Sequence, residues 1–214
     1  MNPTIENDRR EYDHAGLSRR DLDKDPIVQF GAWLQQALSQ QLRDATAMSL
    51  ATVAADGQPS LRTVLLKFYD PSGFVFYTNL ESRKAKEMAQ NPKVALLFYW
   101  REFDRQVIIT GKSAKVSAGE SLKYFITRPR DSRVGAWVSA QSSVISSRAV
   151  LEQKFQEMKR KFADGEIPLP SFWGGYRVEP ATIEFWQGRV NRLHDRFSYF
   201  RQADDSWLLE RLAP

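Results

Sequence analysis

The chain contains no cysteine. That excludes disulfides, thiol nucleophiles and Cys-ligated zinc or iron–sulfur centres in one step, and it fits a reducing cytoplasm, the expected location. Histidine is nearly absent as well. His14 and His194 are the only two, too far apart for a His-rich metal motif, so no metal is expected. The opening residues M-N-P-T-I-E-N-D-R-R have no apolar core to serve as a signal peptide. The longest apolar run, Val94–Trp100, is far too short to span a bilayer, and no membrane association is expected. There is no G-x-G-x-x-G, so a Rossmann dinucleotide site has no support. T-G-K-S at Thr110–Ser113 looks like the end of a P-loop, but the place of that loop's first glycine holds Gln106. A block of one charge is missing too. The 31 Lys and Arg are interleaved with 26 Asp and Glu, for a formal net charge of +5. A site for small phosphorylated molecules explains the cations at least as well as nucleic acid does, and no nucleic-acid partner is expected.

What is present fits a globular chain. Its 214 residues can bury a substantial core, with 42% hydrophobic residues, six Trp and thirteen Phe. Residues 1–24 are polar and charged and read as a flexible arm, leaving 25–214 as a single domain. Asp25-Pro26 opens a helix as N-cap and first-turn proline, and Ile27, Phe30, Leu34, Leu38 and Leu42 recur at helical spacing. From Met48 the pattern turns to strands. Met48–Ala54 leads into the hairpin signal Asp56-Gly57, Leu61–Tyr69 follows, and the turn Asp70–Gly73 precedes Phe74–Thr78. A short helix spans Ser82 to about Gln90. Strands resume at Val94–Trp100, Arg105–Thr110 and Ala114–Ser117. Residues 118–165 are mostly helical, with a stripe of Leu151, Phe155, Met158 and Phe162. The last strands are Trp173–Val178, Thr182–Gln187, Leu193–Arg201 and Trp207–Arg211. Two blocks of strands with helices between them predict α+β, with a closed or nearly closed antiparallel barrel.

Three groups of residues have the chemistry to hold anions. Arg62 and Lys67 share one strand, Tyr77-Thr78 end the next, and Arg83-Lys84 open a short helix, where free N–H groups favour a phosphate. Downstream lie Lys123-Tyr124 and T-R-P-R-D-S, Thr127–Ser132, which read equally as a helix end and a proline turn. Gln141-Ser142 can donate to a ligand or cap a helix. The third group is the stretch Ile183–Arg196. Arg189, Arg192, His194 and Arg196 fall close together with one carboxylate, Asp195, among them. Extended geometry puts Arg192, His194 and Arg196 on one face, with Leu193 and Phe197 toward a core. Two guanidiniums around an imidazole suit a flat anionic ligand; the same stretch also reads as a solvated basic edge strand.

These motifs, in this order, resemble the pyridoxine (pyridoxamine) 5′-phosphate oxidases. The resemblance rests on R-T-V-L-L-K (Arg62–Lys67), F-Y-T-N-L with S-R-K (Phe76–Lys84), R-Q-V (Arg105–Val107), K-Y-F-x-x-R-P-R-D-S (Lys123–Ser132), Q-S-S at Gln141, P-L-P-S-F-W-G-G (Pro168–Gly175), and E-F-W-Q followed by R-L-H-D-R. It spans residues 9–214 and is weakest before Arg9 and in the spacer Gly188–Asn191. It implies an FMN-binding split barrel with surrounding helices, working as a homodimer. It also implies oxidation of pyridoxine or pyridoxamine 5′-phosphate to pyridoxal 5′-phosphate by O2, releasing hydrogen peroxide, and ammonia from the amine. FMN would be held by Arg62, Thr63, Val64, Leu65, Leu66, Lys67, Tyr77, Thr78, Arg83, Lys84, Gln106, Gln141, Ser142, Trp186 and Arg196. The substrate would meet Arg9, Arg10, Glu11, Tyr12, Lys67, Tyr124, Arg128 and Ser132, and also Arg192, Leu193 and His194. Arg192 and His194 would face the reacting ring as the catalytic pair. A flavin-binding carrier of the same barrel, without turnover, is the alternative; it would need neither the second phosphate group nor the Arg192–His194 pair.

Overall fold

Asp25 caps the first helix through its side chain, which accepts a hydrogen bond from the Ile27 N–H at 2.8 Å. With Pro26 in the first turn, helix α1 runs Pro26–Ser39. The computed structural model describes Glu11, Tyr12 and residues 14–214; Arg9 and Arg10 lie outside the described residues. The remaining helices are α2 (Arg83–Gln90), α3 (Ala118–Thr127), α4 (Arg130–Val138) and α5 (Arg148–Lys161). The strands are β1 (Ala47–Val53), β2 (Pro59–Leu65), β3 (Phe68–Asp70), β4 (Gly73–Asn79), β5 (Lys93–Trp100), β6 (Arg105–Lys115), β7 (Trp173–Gln187), β8 (Asp195–Arg201) and β9 (Trp207–Leu212). Strand neighbours follow the order β2-β1-β5-β6-β7-β4-β3, with β8 pairing β7 and β9. The β3–β4, β4–β7, β7–β8 and β8–β9 pairs are antiparallel. The chain is α+β, as the sequence predicts. No helix among the described residues is long and apolar enough to cross a membrane.

The described chain groups into two compact units. One comprises the chain up to Leu50 with Ala95–Gly111 and Pro180–Pro214; the other comprises Ala51–Val94 and Lys112–Glu179. In the first unit α1 buries Ile27, Phe30, Trp33, Leu34 and Ala37. Phe30 packs on Phe98 at 4.9 Å between ring centroids, and Trp33 meets Phe185 edge-on at 5.1 Å. Tyr199, fully buried beside Phe185, satisfies its hydroxyl by donating to the Asp23 carbonyl at 2.6 Å. The predicted stripe overreached at its end. Leu38 is exposed, and Leu42 lies past the helix, because Gln41 takes a left-handed backbone (φ 54°) that stops it. Trp33 and Ala37 take their places.

In the second unit the Asp56-Gly57 turn forms as predicted. Gly57 has φ 86°, and the Asp56 carboxylate accepts from the Gln58 N–H. The strand predicted over Leu61–Tyr69 is broken into β2 and β3. Between them Leu66 turns into the core, and the Lys67 N–H donates to the Val75 carbonyl at 2.8 Å. Conversely, β6 and β7 are each one long strand where the sequence predicts two. Phe125, Val134, Phe162, Ile167 and Trp173 make a buried cluster, with Phe155 and Met158 of the predicted α5 stripe packed against it.

Gly73 opens β4 with φ 123°, and a Cβ there would sit 2.1 Å from the Val178 carbonyl oxygen on the paired strand. Backbone strain and overpacking act together at this position. Gly73→Ala is expected to destabilise the protein by roughly 2–5 kcal/mol, measured as a lowered midpoint in urea unfolding. An unchanged midpoint would refute the close approach.

Candidate functional site

A cavity of about 1120 Å³ opens in the second unit. From β2 and the turn after it come Arg62, Thr63, Val64, Leu65 and Lys67; from β4 and α2 come Tyr77, Thr78, Arg83 and Lys84. The helical segment adds Tyr124, Arg128, Ser132, Gln141 and Ser142. Fourteen residues singled out from the sequence thus line one space. Leu66, expected among them, points into the core instead.

The cations at the β2–α2 end are organised by a carboxylate that the sequence did not mark. Glu87 sits on α2, 4% exposed. Its carboxylate accepts from Ser60 Oγ at 2.6 Å, from Arg83 Nε at 2.7 Å and from Thr52 Oγ1; Arg62 lies 3.3 Å away. Burial pushes the Glu87 carboxyl upward, but the hydrogen bonds from Ser60, Thr52 and Arg83, with the Arg83 charge, hold it down at about 2. Burial lowers the pKa of Arg62, as does nearby Arg83, while Glu87 acts the other way. Lys84 is buried, and burial followed by the Arg62 charge lowers its pKa. The Lys84 ammonium donates to Gln141 Oε1 at 2.8 Å and Thr78 Oγ1 at 3.1 Å, and Thr78 also donates to Gln141. At the start of α2 the Arg83 N–H donates to Ser142 Oγ. Three cations facing one carboxylate leave excess positive charge at the start of a helix, which suits a phosphate.

The α3–α4 end has a different construction. Tyr77, Tyr124 and Trp173 stack, with Tyr77–Trp173 centroids 5.3 Å apart and planes within 7°. Gly175 makes room, since a Cβ there would lie 2.8 Å from the Tyr77 ring. The Arg128 guanidinium stands 4.8 Å over Trp173. Among the described residues its buried Nη1 has no hydrogen-bond partner, and burial lowers its pKa. An unsatisfied buried guanidinium donor at a cavity wall is built for an anionic acceptor. Trp173 comes from the P-S-F-W-G-G run, to which the sequence reading gave no ligand contact. The signal that could have found it is the aromatic directly before the paired glycines.

Gln106, Trp186, Arg192, Leu193, His194 and Arg196 do not line this cavity; they belong to the first unit. The predicted strand face is corrected there. Val190–Arg192 is a helical turn in which Asn191 and Arg192 have φ 57° and 60°, and β8 begins only at Asp195. Arg192, His194 and Arg196 therefore do not alternate along one strand, and Leu193 is exposed instead of facing the core, while Phe197 is buried as expected. Arg196 is engaged by Glu184 through two hydrogen bonds, 2.9 and 3.1 Å, and by the Ala213 carbonyl; the Glu184 partnership raises its pKa. His194 Nδ1 accepts the Arg189 N–H at 3.1 Å, so in the neutral ring Nε2 carries the proton. Burial, then the Arg192 charge, lowers the His194 pKa. Its ring lies 4.6 Å from Trp186 and 5.3 Å from Tyr12.

A cavity with two cationic ends on an antiparallel sheet defines a binder of small phosphorylated ligands, and known proteins of this kind match the chain. Residues 34–162 match the family model described as pyridoxamine 5′-phosphate oxidase, and 173–214 match the pyridoxine 5′-phosphate oxidase C-terminal dimerisation region. The pyridoxine/pyridoxamine 5′-phosphate oxidase of Rippkaea orientalis is 62% identical over 206 residues, covering 96% of this chain and 97% of that one. The protein of the same name from Hahella chejuensis is 60% identical over 207 residues, with the same coverage. The crystal structure of PhzG from Burkholderia lata, in complex with tetrahydrophenazine-1-carboxylic acid, is 30% identical with TM-score 0.88, covering 96% of this chain and all of that one. A pyridoxamine 5′-phosphate oxidase-related, FMN binding protein of Nostoc punctiforme shares the fold at 18% identity, with TM-score 0.70 and coverage of 86% and 96%. The chain belongs to the pyridoxamine 5′-phosphate oxidase family.

Glu87 yields a test of the cationic end. Its depressed pKa is worth on the order of 3 kcal/mol of stability, fully present above pH 4.5 and lost as pH falls toward 2. Glu87→Gln is expected to be less stable than wild type by about that amount at pH 6, with the gap narrowing at pH 3. Urea unfolding at the two pH values checks it; a gap independent of pH would contradict the ion-pair account.

Proposed function

We propose that the protein is an FMN-dependent oxidase converting pyridoxine 5′-phosphate and pyridoxamine 5′-phosphate to pyridoxal 5′-phosphate. On this reading it works in the cytoplasm as a homodimer, in the synthesis and salvage of that cofactor, with O2 as electron acceptor. The observation that carries it is one cavity with two separate cationic groups, in a chain 62% identical to a protein of that name. At about 1120 Å³ the space exceeds that of a typical single-ligand pocket, enough for a cofactor and a substrate together.

The residues present fit FMN. Arg62 and, at the start of α2, Arg83 and Lys84 are the donors for its phosphate, and Gln141 and Ser142 flank them. Gln106, Trp186 and Arg196 are assigned to it as well. FMN supplies the acceptor for the hydride leaving C4′ of the substrate, and O2 takes the electrons on to hydrogen peroxide. Lys67, Tyr124, Arg128 and Ser132 grip the substrate phosphate, with the unsatisfied Arg128 Nη1 as the waiting donor. With FMN in clefts between the two protomers of the homodimer, Arg192 and His194 would face the pyridine ring. Arg192 offers charge where electron density shifts, and neutral His194 offers an Nε2–H donor. Leu193 and the arm residues Glu11 and Tyr12 complete the substrate's surroundings. A flavin carrier without turnover would leave the Arg128 donor without a purpose, which favours the oxidase.

The direct test is the absorption spectrum of the purified protein, followed by peroxide release on adding pyridoxine 5′-phosphate. A colourless protein with no peroxide would overturn the reading. Arg62→Ala or Lys84→Ala is expected to weaken FMN binding by about 1–3 kcal/mol, and riboflavin, which lacks the phosphate, should bind wild type poorly. Titration by flavin fluorescence decides this; equal affinities for FMN and riboflavin would remove these cations from the site.

Arg192→Met keeps bulk and removes charge. We expect kcat to fall ~10-fold or more, with a smaller fall for His194→Asn. Anaerobic stopped-flow reduction at saturating substrate isolates the step from oxygen chemistry. A wild-type rate for Arg192→Met would leave Arg192 as a binding residue only.

A further inference from the structure

We propose that Arg189 is a positioning residue, tying the chain at His14–Leu17 to the turn that carries His194 and so holding Tyr12 against the imidazole. This rests on the reading that His194 faces the substrate. Arg189 lies in the spacer where resemblance to the family is weakest, and no role follows from that resemblance.

Arg189 makes contacts in three directions. Its Nη1 donates to the His14 carbonyl at 2.7 Å. Its Nε lies 3.7 Å from Asp195 Oδ2, the same oxygen that accepts the Leu17 N–H at 3.0 Å. Its own N–H donates to His194 Nδ1. Two glycines permit the arrangement. A Cβ on Gly16 would lie 3.1 Å from Arg189 Cζ and 3.2 Å from Asp195 Oδ2, and a Cβ on Gly188 would lie 2.7 Å from the Tyr12 ring. Tyr12 then meets His194 and Trp186 edge-on, at 5.3 and 5.9 Å.

The guanidinium is thus the side-chain link from His14 to Asp195, and Asp195 is buried. Segments near a terminus are ordered only where something ties them down. Removing the link leaves the segment held by the Leu17–Asp195 hydrogen bond and by the 3.6 Å His14–Asp104 contact, so it loosens ahead of these anchors and Tyr12 shifts from the imidazole. The form competent to bind substrate is then a smaller fraction of the protein, so apparent affinity drops by that fraction. Chemistry in the bound state is left alone, which is a KM effect without a kcat effect.

The test compares wild type, Arg189→Ala, Tyr12→Ala and the double variant, all FMN-loaded, with pyridoxine 5′-phosphate. Hydrogen exchange of the peptide covering residues 14–18 is measured without substrate. Arg189→Ala should raise KM ~10-fold, the loss of one charged hydrogen bond, with kcat within about twofold. The double variant should be no worse than Tyr12→Ala alone, because both changes remove the same interaction. Exchange at 14–18 should quicken while β8 is unaffected, and Arg189→Lys, keeping the charge and one donor, should restore part of both effects. Multiplying KM effects, or unchanged exchange, would overturn the proposal. If wild type itself does not oxidise pyridoxine 5′-phosphate, the proposed function fails, and the exchange comparison alone decides whether Arg189 ties the segment.

Discussion

Cations cannot be gathered at one end of a cavity without an acid to hold them there. Two like charges 4 Å apart repel by about 4 kcal/mol at the effective dielectric near a protein surface, and Arg62, Arg83 and Lys84 converge on one end of this cavity. Glu87 makes that possible. Placed one turn after Arg83, it is reached by hydroxyls from β1 and β2 and by both guanidiniums. One carboxylate against three cations fixes the side chains while leaving net positive charge for a ligand. The protein thereby meets the entropic cost of ordering long side chains during folding, and binding gains from that preorganisation.

The opposite end depends on shape. The Tyr77–Tyr124–Trp173 stack gives Arg128 an apolar platform, and the missing Cβ of Gly175 lets β7 approach Tyr77. Burial over the platform strips water from the guanidinium, so the Nη1 that finds no partner among the described residues gains more from an anion than an exposed arginine would. One end is tuned by paired charge, the other by desolvation.

Local signals in the sequence carried far. Asp25-Pro26 and Asp56-Gly57 act through their nearest neighbours, and helix and hairpin start where those residues stand. Lining residues on β2, β4 and α2 were legible because cations and Tyr-Thr on strand ends and at a helix start stand out. Three features were not legible, each for a physical reason. Glu87 looks like an ordinary surface acid until β1 and β2 close over it. Pro180 reads as a strand breaker, yet it falls between the residues of β7 that pair with β4 and those that pair with β8, where its missing N–H is best tolerated. Asn191 and Arg192 adopt left-handed backbone, uncommon for residues other than glycine, so the alternation expected through His194 could not hold.

The first unit repeats the device of the second with different parts. Asp195, 8% exposed, accepts from Leu17 N–H and lies against both Arg189 and Arg211, as Glu87 lies against Arg62 and Arg83. In each case a buried acid with two guanidiniums leaves a positive remainder, and a backbone or hydroxyl donor completes the carboxylate's hydrogen bonds. Removing either acid would strand two arginines beside each other, a larger penalty than the pair's own net contribution. What the two acids organise differs. Glu87 presents charge toward a cavity, whereas Asp195 fixes chain, joining Leu17 near one end of the sequence to Arg211 near the other. The turn bearing His194 is anchored between them, so the position of the imidazole depends on a carboxylate that the ring itself does not touch.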